Sequence, residues 1–241
     1  MYKSELDKHI QNNSLSNSFI FFGESGFFID MYTKVVTNIE DASVLTFYYD
    51  EYDFNSAKAH LSQGSLFGDR NVLIIKSEKK VDKKQLEVLI EFCEKNPDNI
   101  FVDAYYGSDH KAYAKGFSKT TAMSVRFFHP KDFEANNIVA QIAKEKNVTI
   151  DKYSISHLLL IHNGDIALAC NELDKFRVYD KPISTKDIDN LVFGLAEVNI
   201  DEFVKKLLYK KDFKEDLYNM LEHGEDEIRV LTIITAYLTQ L

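Results

Sequence analysis

The sequence predicts an α/β fold in which a parallel sheet carries helices on both faces and is followed by helical units. Three observations support this prediction. Short apolar runs alternate with amphipathic helical patterns up to residue 130, a glycine turn joins the first run to a long helical pattern, and strand signals stop after His129-Pro130. Alternating strands and helices are typical of a parallel sheet, because each crossover needs a connection long enough to hold a helix.

The first 130 residues contain five candidate strands, each a short apolar run of the kind that is buried on both faces of a sheet. These runs are residues 18–22, 44–48, 72–75, 100–104 and 125–128. Candidate helices occupy residues 2–10, 27–39, 54–61 and 82–95, with a more polar helical stretch at 111–119. The order predicts one α/β domain over residues 1–130.

The remainder of the chain is predicted to be helical. Helical patterns cover residues 133–146, 153–161, 165–179 and 185–192, and then 200–208, 212–222 and 225–241. Asn163-Gly164 marks a turn, and Ser184 with Asp187 resembles a helix-start capping box. We therefore predict a small helical domain over 131–196 and a further helical segment over 197–241. An apolar pattern continues to the last residue, so we expect this third unit to be truncated.

Composition restricts the classes of function. A net charge of −9 argues against a protein that grips nucleic acid by itself, because phosphate neutralisation needs clustered Lys and Arg. No apolar run reaches membrane-spanning length, and the first five residues lack the basic-then-apolar order of a secretory signal. We therefore expect a cytoplasmic protein without membrane association.

The turn Gly23-Glu24-Ser25-Gly26 lies between a strand and a helix, which is the order used by phosphate-binding loops. A working loop also needs a Lys for the β- and γ-phosphates and a Ser or Thr for magnesium. Here those positions approach Gly26-Phe27-Phe28, and the next lysine is Lys34. We interpret residues 23–26 as a degenerate phosphate loop that is not expected to bind ATP.

No catalytic or metal-binding constellation follows from spacing. Asp103 is a single carboxylate without a neighbouring general base, and we interpret it as a loop residue or helix cap. Cys93 and Cys170 lie in separate helix-like segments and are interpreted as buried thiols. The seven histidines are scattered. We predict no catalytic residue, no metal and no cofactor.

The stretch Ser65-Leu66-Phe67-Gly68 presents two large apolar side chains at a predicted bend, because Gly64, Ser65 and Gly68 favour a turn. The residues themselves leave two interpretations open. Leu66 and Phe67 either fold back under the sheet or protrude as a plug for the pocket of a partner. Each side chain gains roughly 1.5–3 kcal/mol on burial, so the pair is large enough to be a binding hot spot.

Several motifs together resemble those of the AAA+ clamp-loader subunits, and specifically the delta-subunit family of bacterial DNA polymerase III. The resemblance spans about residues 18–195. It is carried by Phe21-Phe22-Gly23-Glu24, by Ser65-Leu66-Phe67-Gly68 followed by the run 72–75, by Gly164-Asp165 with Asn171-Glu172-Leu173-Asp174-Lys175-Phe176, and by Ile183-Ser184 with Asp187-Ile188.

The resemblance implies a subunit of the polymerase holoenzyme that has no ATPase activity of its own. It implies an AAA+-like domain at 1–130, a helical lid at 131–196 and the start of a collar at 197–241. It also implies that Ser65, Leu66, Phe67 and Gly68 bind the sliding clamp (beta), supported by the helix before them, and help to open the ring. The motor subunits (gamma/tau) and delta prime would be further partners, and DNA would be met only through the complex.

Two other classes of function stay open on the sequence. A nucleotide-binding AAA+-type ATPase with an altered phosphate loop predicts measurable nucleotide affinity that is lost when residues 23–28 are replaced. An interaction protein unrelated to replication predicts no affinity for a sliding clamp.

Overall fold

The chain divides into two units, Met1–Pro130 and Lys131–Leu241, in the computed structural model. The structure describes residues 1–63, 70–110, 113, 117, 120–192, 200–214, 217, 218, 231, 234 and 235. The predicted boundary between residues 196 and 197 lies outside the described residues.

The first unit is built on one five-stranded sheet in which every neighbouring pair of strands is parallel. The strands are β1 (Ser18–Gly23), β2 (Ser43–Tyr48), β3 (Asn71–Ser77), β4 (Asn99–Tyr105) and β5 (Met123–Phe127), in the order β2-β3-β4-β1-β5. This confirms the predicted parallel sheet. Strands β3 and β4 begin one residue before their apolar runs, because Asn71 and Asn99 pair with each other in the ladder.

Helices cover both faces of this sheet. Helices α1 (Lys3–Gln11) and α2 (Gly26–Thr37) lie on one side, and α3 (Phe54–Ser62) and α4 (Lys83–Lys95) on the other. Side chains alternate along a strand, so Ile20 and Phe22 join the α3–α4 core while Phe21 packs against Phe127, with ring centroids 5.4 Å apart. Of the predicted helix 111–119, only Tyr113 and Phe117 are described, and both are buried.

The second unit is helical. It contains α5 (Asp132–Glu145), α6 (Lys152–Ile161), α7 (Ile166–Glu172), α8 (Thr185–Leu191) and α9 (Ile200–Leu208). The predicted turn is confirmed by positive φ angles at Asn163 (51°) and Gly164 (81°), and Ser184 and Asp187 form the predicted capping box. Most of the predicted helices 212–222 and 225–241 lies outside the described residues.

One helix prediction in this unit was wrong in its extent. The α-helical pattern predicted for residues 165–179 ends at Glu172, and the chain continues as a 3-10 turn over Leu173–Phe176. Tightening the last turn brings both Leu173 and Phe176 into the core, where neither is exposed.

Among the helices of the described residues, none is long and apolar enough to cross a membrane.

Candidate functional site

The predicted partner-binding residues Ser65, Leu66, Phe67 and Gly68 lie outside the described residues, so their conformation is not described. The structure does describe both ends of the segment that carries them. The chain leaves α3 at Gln63 and enters β3 at Asn71.

A buried pair of asparagines holds the two ends together. Asn71 is 5% exposed and Asn99 is fully buried. The Asn71 side-chain amide donates to the Gln63 carbonyl at 2.9 Å and to the Asn99 Oδ1 atom at 3.1 Å. The Asn99 amide donates to the carbonyls of Leu61 at 2.8 Å and Phe92 at 3.3 Å. The base of the segment is thus a hydrogen-bonded network inside the protein.

Helix α3, which precedes the segment, is fixed at both of its ends. At its start, Asp53 accepts a hydrogen bond from the Ser56 backbone at 2.7 Å, and hydrogen bonding by the Ser56 side chain and backbone lowers the pKa of the Asp53 carboxyl. Near its end, the His60 Nε2 atom lies 3.1 Å from the carbonyls of both Ser43 and Val72. The side chain of Leu61 is buried in the core.

The glycine turn is a short, closed connection between β1 and α2. Strand β1 ends at Gly23 and α2 begins at Gly26, so only Glu24 and Ser25 lie between them. The Glu24 backbone N–H donates to the Phe127 carbonyl at 2.7 Å. Ser25 is the N-cap of α2, because its Oγ atom accepts a hydrogen bond from the Phe28 N–H at 3.3 Å.

The acidic residue of this turn, Glu24, is paired with a basic residue of β5. Glu24 stands just before the N-terminus of α2 and forms an ion pair with Arg126, whose Nη2 atom is 2.9 Å from the carboxylate. The Arg126 guanidinium also lies 4.5 Å from the centroid of the Phe128 ring. Glu24 therefore adds a negative charge to the turn before α2, and this charge opposes the binding of a second anion there. Sequence spacing did not predict this pair.

Asp103 is placed differently from the sequence interpretation. It is neither a loop residue nor a helix cap, because it lies within β4 and is 1% exposed. The Tyr113 hydroxyl donates a hydrogen bond to its carboxyl group. Burial raises the pKa of Asp103 to about 7, and the bond from Tyr113 opposes that rise. The interpretation failed because one carboxylate in an apolar run gives no sign of a distant phenol.

The structure confirms the prediction that Cys93 and Cys170 are buried thiols. Both are buried, and neither forms a disulfide. Burial raises the pKa of Cys93 to about 12 and that of Cys170 to about 11, which makes both poor nucleophiles.

Across the described parts of the chain, no group of three or more His, Cys, Asp or Glu side chains is arranged to hold a metal ion.

The parallel sheet with its flanking helices defines an AAA+-like mixed α/β fold. One structure of the Thermotoga maritima RuvB Holliday junction branch migration motor matches 85% of this chain and 73% of its own, with a TM-score of 0.52 and 15% identity. The Bacillus subtilis DNA clamp loader delta protein YqeN matches 97% of this chain and 75% of its own, with a TM-score of 0.59 and 20% identity. Clamp-loader delta therefore shares the fold of this chain.

Sequence comparison also finds a delta subunit among the relatives of this chain. A Helicobacter pylori protein is 25% identical over 263 aligned residues, which cover all of this chain and 77% of that protein. The DNA polymerase III subunit delta of Bacillus subtilis is 24% identical over 219 residues, which cover 84% of this chain and 63% of that protein. A family model described as HP_1247_M, middle domain, matches residues 131–190.

Proposed function

We propose that this chain is a delta-type subunit of a bacterial clamp loader, a cytoplasmic component of the replicative polymerase that does not hydrolyse ATP itself. It binds the sliding clamp (beta) through Ser65, Leu66, Phe67 and Gly68 and assembles with motor subunits (gamma/tau) and delta prime. DNA is contacted only through that complex. The observation that carries the proposal is the fold match to a clamp loader delta protein over 97% of this chain.

The base of the binding segment supports this proposal. A binding loop is effective when a rigid scaffold presents it, because the scaffold lowers the ordering cost that binding must overcome. Here α3 and β3 enter a shared core, and buried Asn71 joins their ends through its bond to the Gln63 carbonyl. Leu66 and Phe67 then stand in a chain segment that begins and ends on fixed structure.

The proposed mechanism uses binding energy alone. A ligand shifts an equilibrium only by the difference between its affinities for the two states. The loop therefore favours an opened ring to the extent that it binds the opened interface more tightly than the closed one. This requires no covalent step from the chain, in keeping with the absence of a lysine from residues 23–28.

The glycine turn supports the view that this subunit works without its own nucleotide. We expect titration of the chain with magnesium ATP, followed by calorimetry, to give no saturable binding at millimolar nucleotide. The physical reason is that the Glu24 carboxylate in the turn before α2 repels phosphate, and that its ion pair with Arg126 engages the guanidinium. Saturable binding that disappears when residues 23–28 are replaced would instead favour the altered ATPase.

Replacing Phe67 with alanine should weaken clamp binding by about 2 kcal/mol or more, roughly thirtyfold, as truncation of a central aromatic hot spot does. The measurement is a binding titration of the sliding clamp from the same cell, with Leu66→Ala/Phe67→Ala as a stronger variant. Phe133→Ala is the matched control, because this phenylalanine is 64% exposed and lies in the other unit. It should bind like the wild type.

Circular dichroism separates the two interpretations of Phe67. A folded variant of unchanged thermal stability that has lost clamp binding supports a protruding plug. A loss of thermal stability matching the loss of binding would show that Phe67 belongs to the core. If the unaltered chain binds no clamp, the proposed function fails and an interaction protein unrelated to replication becomes the better interpretation.

A further inference from the structure

The sheet of the first unit has two outer strands, β2 and β5. The edge of β5 is covered by Met1 and Tyr2. The amino group of Met1 donates to the Ser124 carbonyl at 2.8 Å, and the Arg126 N–H donates to the Met1 carbonyl at 3.1 Å. Tyr2 forms a parallel bridge with Arg126. Covering an edge in this way keeps its unpaired backbone groups from pairing with another chain.

The edge of β2 has none of these protective features. The strand reads Ser-Val-Leu-Thr-Phe-Tyr over Ser43–Tyr48 and contains no charged residue and no proline. All six residues pair one-to-one with β3, so the strand is not interrupted by a bulge. Among the described residues, no other segment pairs with its outer side. This edge of the sheet is therefore open to a further strand.

The register of β2 identifies the backbone groups that face outward. The Ser43 N–H donates to the Arg70 carbonyl at 2.8 Å, so the backbone groups of Ser43 point toward β3. Backbone direction alternates along a strand, and every second residue after Ser43 also bonds to β3. The N–H and C=O groups of Val44 and Thr46 consequently point away from the sheet.

The side chains beside this edge form a half-exposed apolar surface. Leu45 and Phe47 pack with the α3–α4 core, so Val44, Thr46 and Tyr48 lie on the opposite face of the strand. Val44 is 54% exposed and Tyr48 is 50% exposed. An extended segment with β-branched or aromatic residues can pack against such neighbours while its backbone pairs with the edge.

Exposed carboxylates flank β2 at both ends. Glu40 and Asp41 precede the strand, and Asp50 and Glu51 follow it. Asp50 pairs with Lys79 at 2.6 Å, whereas the described residues provide no ion-pair partner for the other three. An occupant with basic residues at both ends complements these charges. Antiparallel pairing with a second copy of β2 would instead bring the carboxylates of the two copies together, which is unfavourable.

We propose that the outer edge of β2 is a docking site for an extended segment of another protein, which carries basic residues at both ends and adds to the sheet as a further strand. The backbone of this segment bonds to the outward N–H and C=O groups of Val44 and Thr46. Its lysines or arginines meet the carboxylates of Glu40, Asp41 and Glu51. The site uses none of residues 65–68 and goes beyond the proposed function.

The probe for this site is the synthetic peptide acetyl-Lys-Lys-Val-Thr-Val-Thr-Val-Lys-Lys-amide, titrated into the full chain. We expect saturable binding, with slower amide hydrogen exchange at Val44 and Thr46 because their N–H groups gain a partner. The same peptide with Glu in place of every Lys should bind at least about tenfold more weakly. Each exposed charge pair changes a binding constant by up to about fivefold, and both ends of the peptide contribute.

Thr46→Pro removes one outward N–H while the bonds between β2 and β3 remain, because an edge strand tolerates proline where the N–H faces solvent. This variant should bind the lysine peptide about tenfold more weakly, since a hydrogen bond is lost and the ring obstructs the approaching backbone. Circular dichroism checks its fold. Should Thr46→Pro not fold, Val44→Pro replaces it near the start of the strand, where proline is also tolerated.

Glu51→Gln tests the charge and should weaken binding of the lysine peptide about two- to fivefold. Asp180→Asn is the matched control, because Asp180 is an exposed carboxylate in the other unit. It should bind the lysine peptide like the wild type.

The inference is supported if the lysine peptide slows exchange at both amides and binds more tightly than the Glu peptide. Absence of saturable binding, binding that leaves both amides unchanged, or equal affinity for the two peptides overturns it. Slower exchange at Val44 and Thr46 that depends on the concentration of the chain alone would show that a second copy occupies the edge, which also overturns it. Clamp binding by the same wild-type chain is measured separately and judges the proposed function.

Discussion

Replacing Asp103 with asparagine is expected to make the free energy of unfolding less dependent on pH. In the wild type, Asp103 should lower this free energy by about 4 kcal/mol between pH 4 and pH 7, and the variant should lack this decrease. Asp103 is buried inside β4, and burial raises its pKa from 3.8 to about 7. Its carboxyl accepts a hydrogen bond from the Tyr113 hydroxyl, whose own pKa burial also raises. Asparagine has nearly the same shape and offers a carbonyl oxygen to the same hydroxyl.

The sign follows from which state holds the proton. Between pH 3.8 and about 7 the native carboxyl keeps a proton that the unfolded chain has already released. The free energy of unfolding therefore falls with rising pH by about 1.4 kcal/mol per unit and levels off above the native pKa. Below pH 3.8 the contribution of Asp103 is fully present.

Other carboxyl groups act in the opposite direction and in a different range. Hydrogen bonds lower the pKa values of Asp53 and Asp151, and the bond from Lys181 does the same for Asp187. Their contributions are present above the ordinary carboxyl pKa and are lost as the pH falls below it. Above about pH 5 these three contributions are therefore nearly constant, whereas that of Asp103 changes up to about pH 7.

Urea unfolding followed by circular dichroism at pH 4, 5, 6, 7 and 8 measures the difference between wild type and Asp103→Asn. The difference should grow from near zero at pH 4 to about 4 kcal/mol in favour of the variant at pH 8. A difference for Asp103→Asn that stays constant from pH 4 to pH 8 would contradict the burial of an ionisable carboxyl at this position.

Replacing Gly23 with alanine should lower the free energy of unfolding by about 3 kcal/mol or more. Gly23 has a φ of +140°, and a Cβ atom added there would lie 2.0 Å from the Phe127 carbonyl oxygen and 2.7 Å from its nitrogen. Both are backbone atoms of β5, so the clash is relieved only by moving β1 and β5 apart. The closed glycine turn depends on this absence of a side chain.

Two glycine variants test that explanation by urea unfolding. At Gly26 the added Cβ would meet only the Tyr106 ring at 3.7 Å, so Gly26→Ala should stay within about 0.5 kcal/mol of the wild type. At Gly164 the φ is +81° but nothing lies within 4 Å, so Gly164→Ala should cost about 1 kcal/mol from backbone strain alone. Equal losses at all three positions would show that close approach to β5 is not the cause.

The sequence predicted most of the helices and strands of the described residues, because those elements have clear periodicity and boundaries. The strand at 72–75 and the helix at 82–95 are recovered as β3 and α4. The 3-10 turn after Glu172 was missed, since a buried 3-10 turn and a continued α-helix carry nearly the same apolar spacing over four residues. The missing lysine of the glycine turn was likewise visible in the sequence.

The sequence by itself thus determined the α/β class, the order of the elements and the departure from a working phosphate loop. Only the tertiary structure decided which side chains meet. Arg126 reaches Glu24 across 102 residues of chain, and Asn71 reaches Asn99 across 28. Local periodicity specifies which face of an element is buried, but such pairs depend on which strands become neighbours in the sheet. For the same reason, the burial of Asp103 against Tyr113 could be recognised only in the tertiary structure.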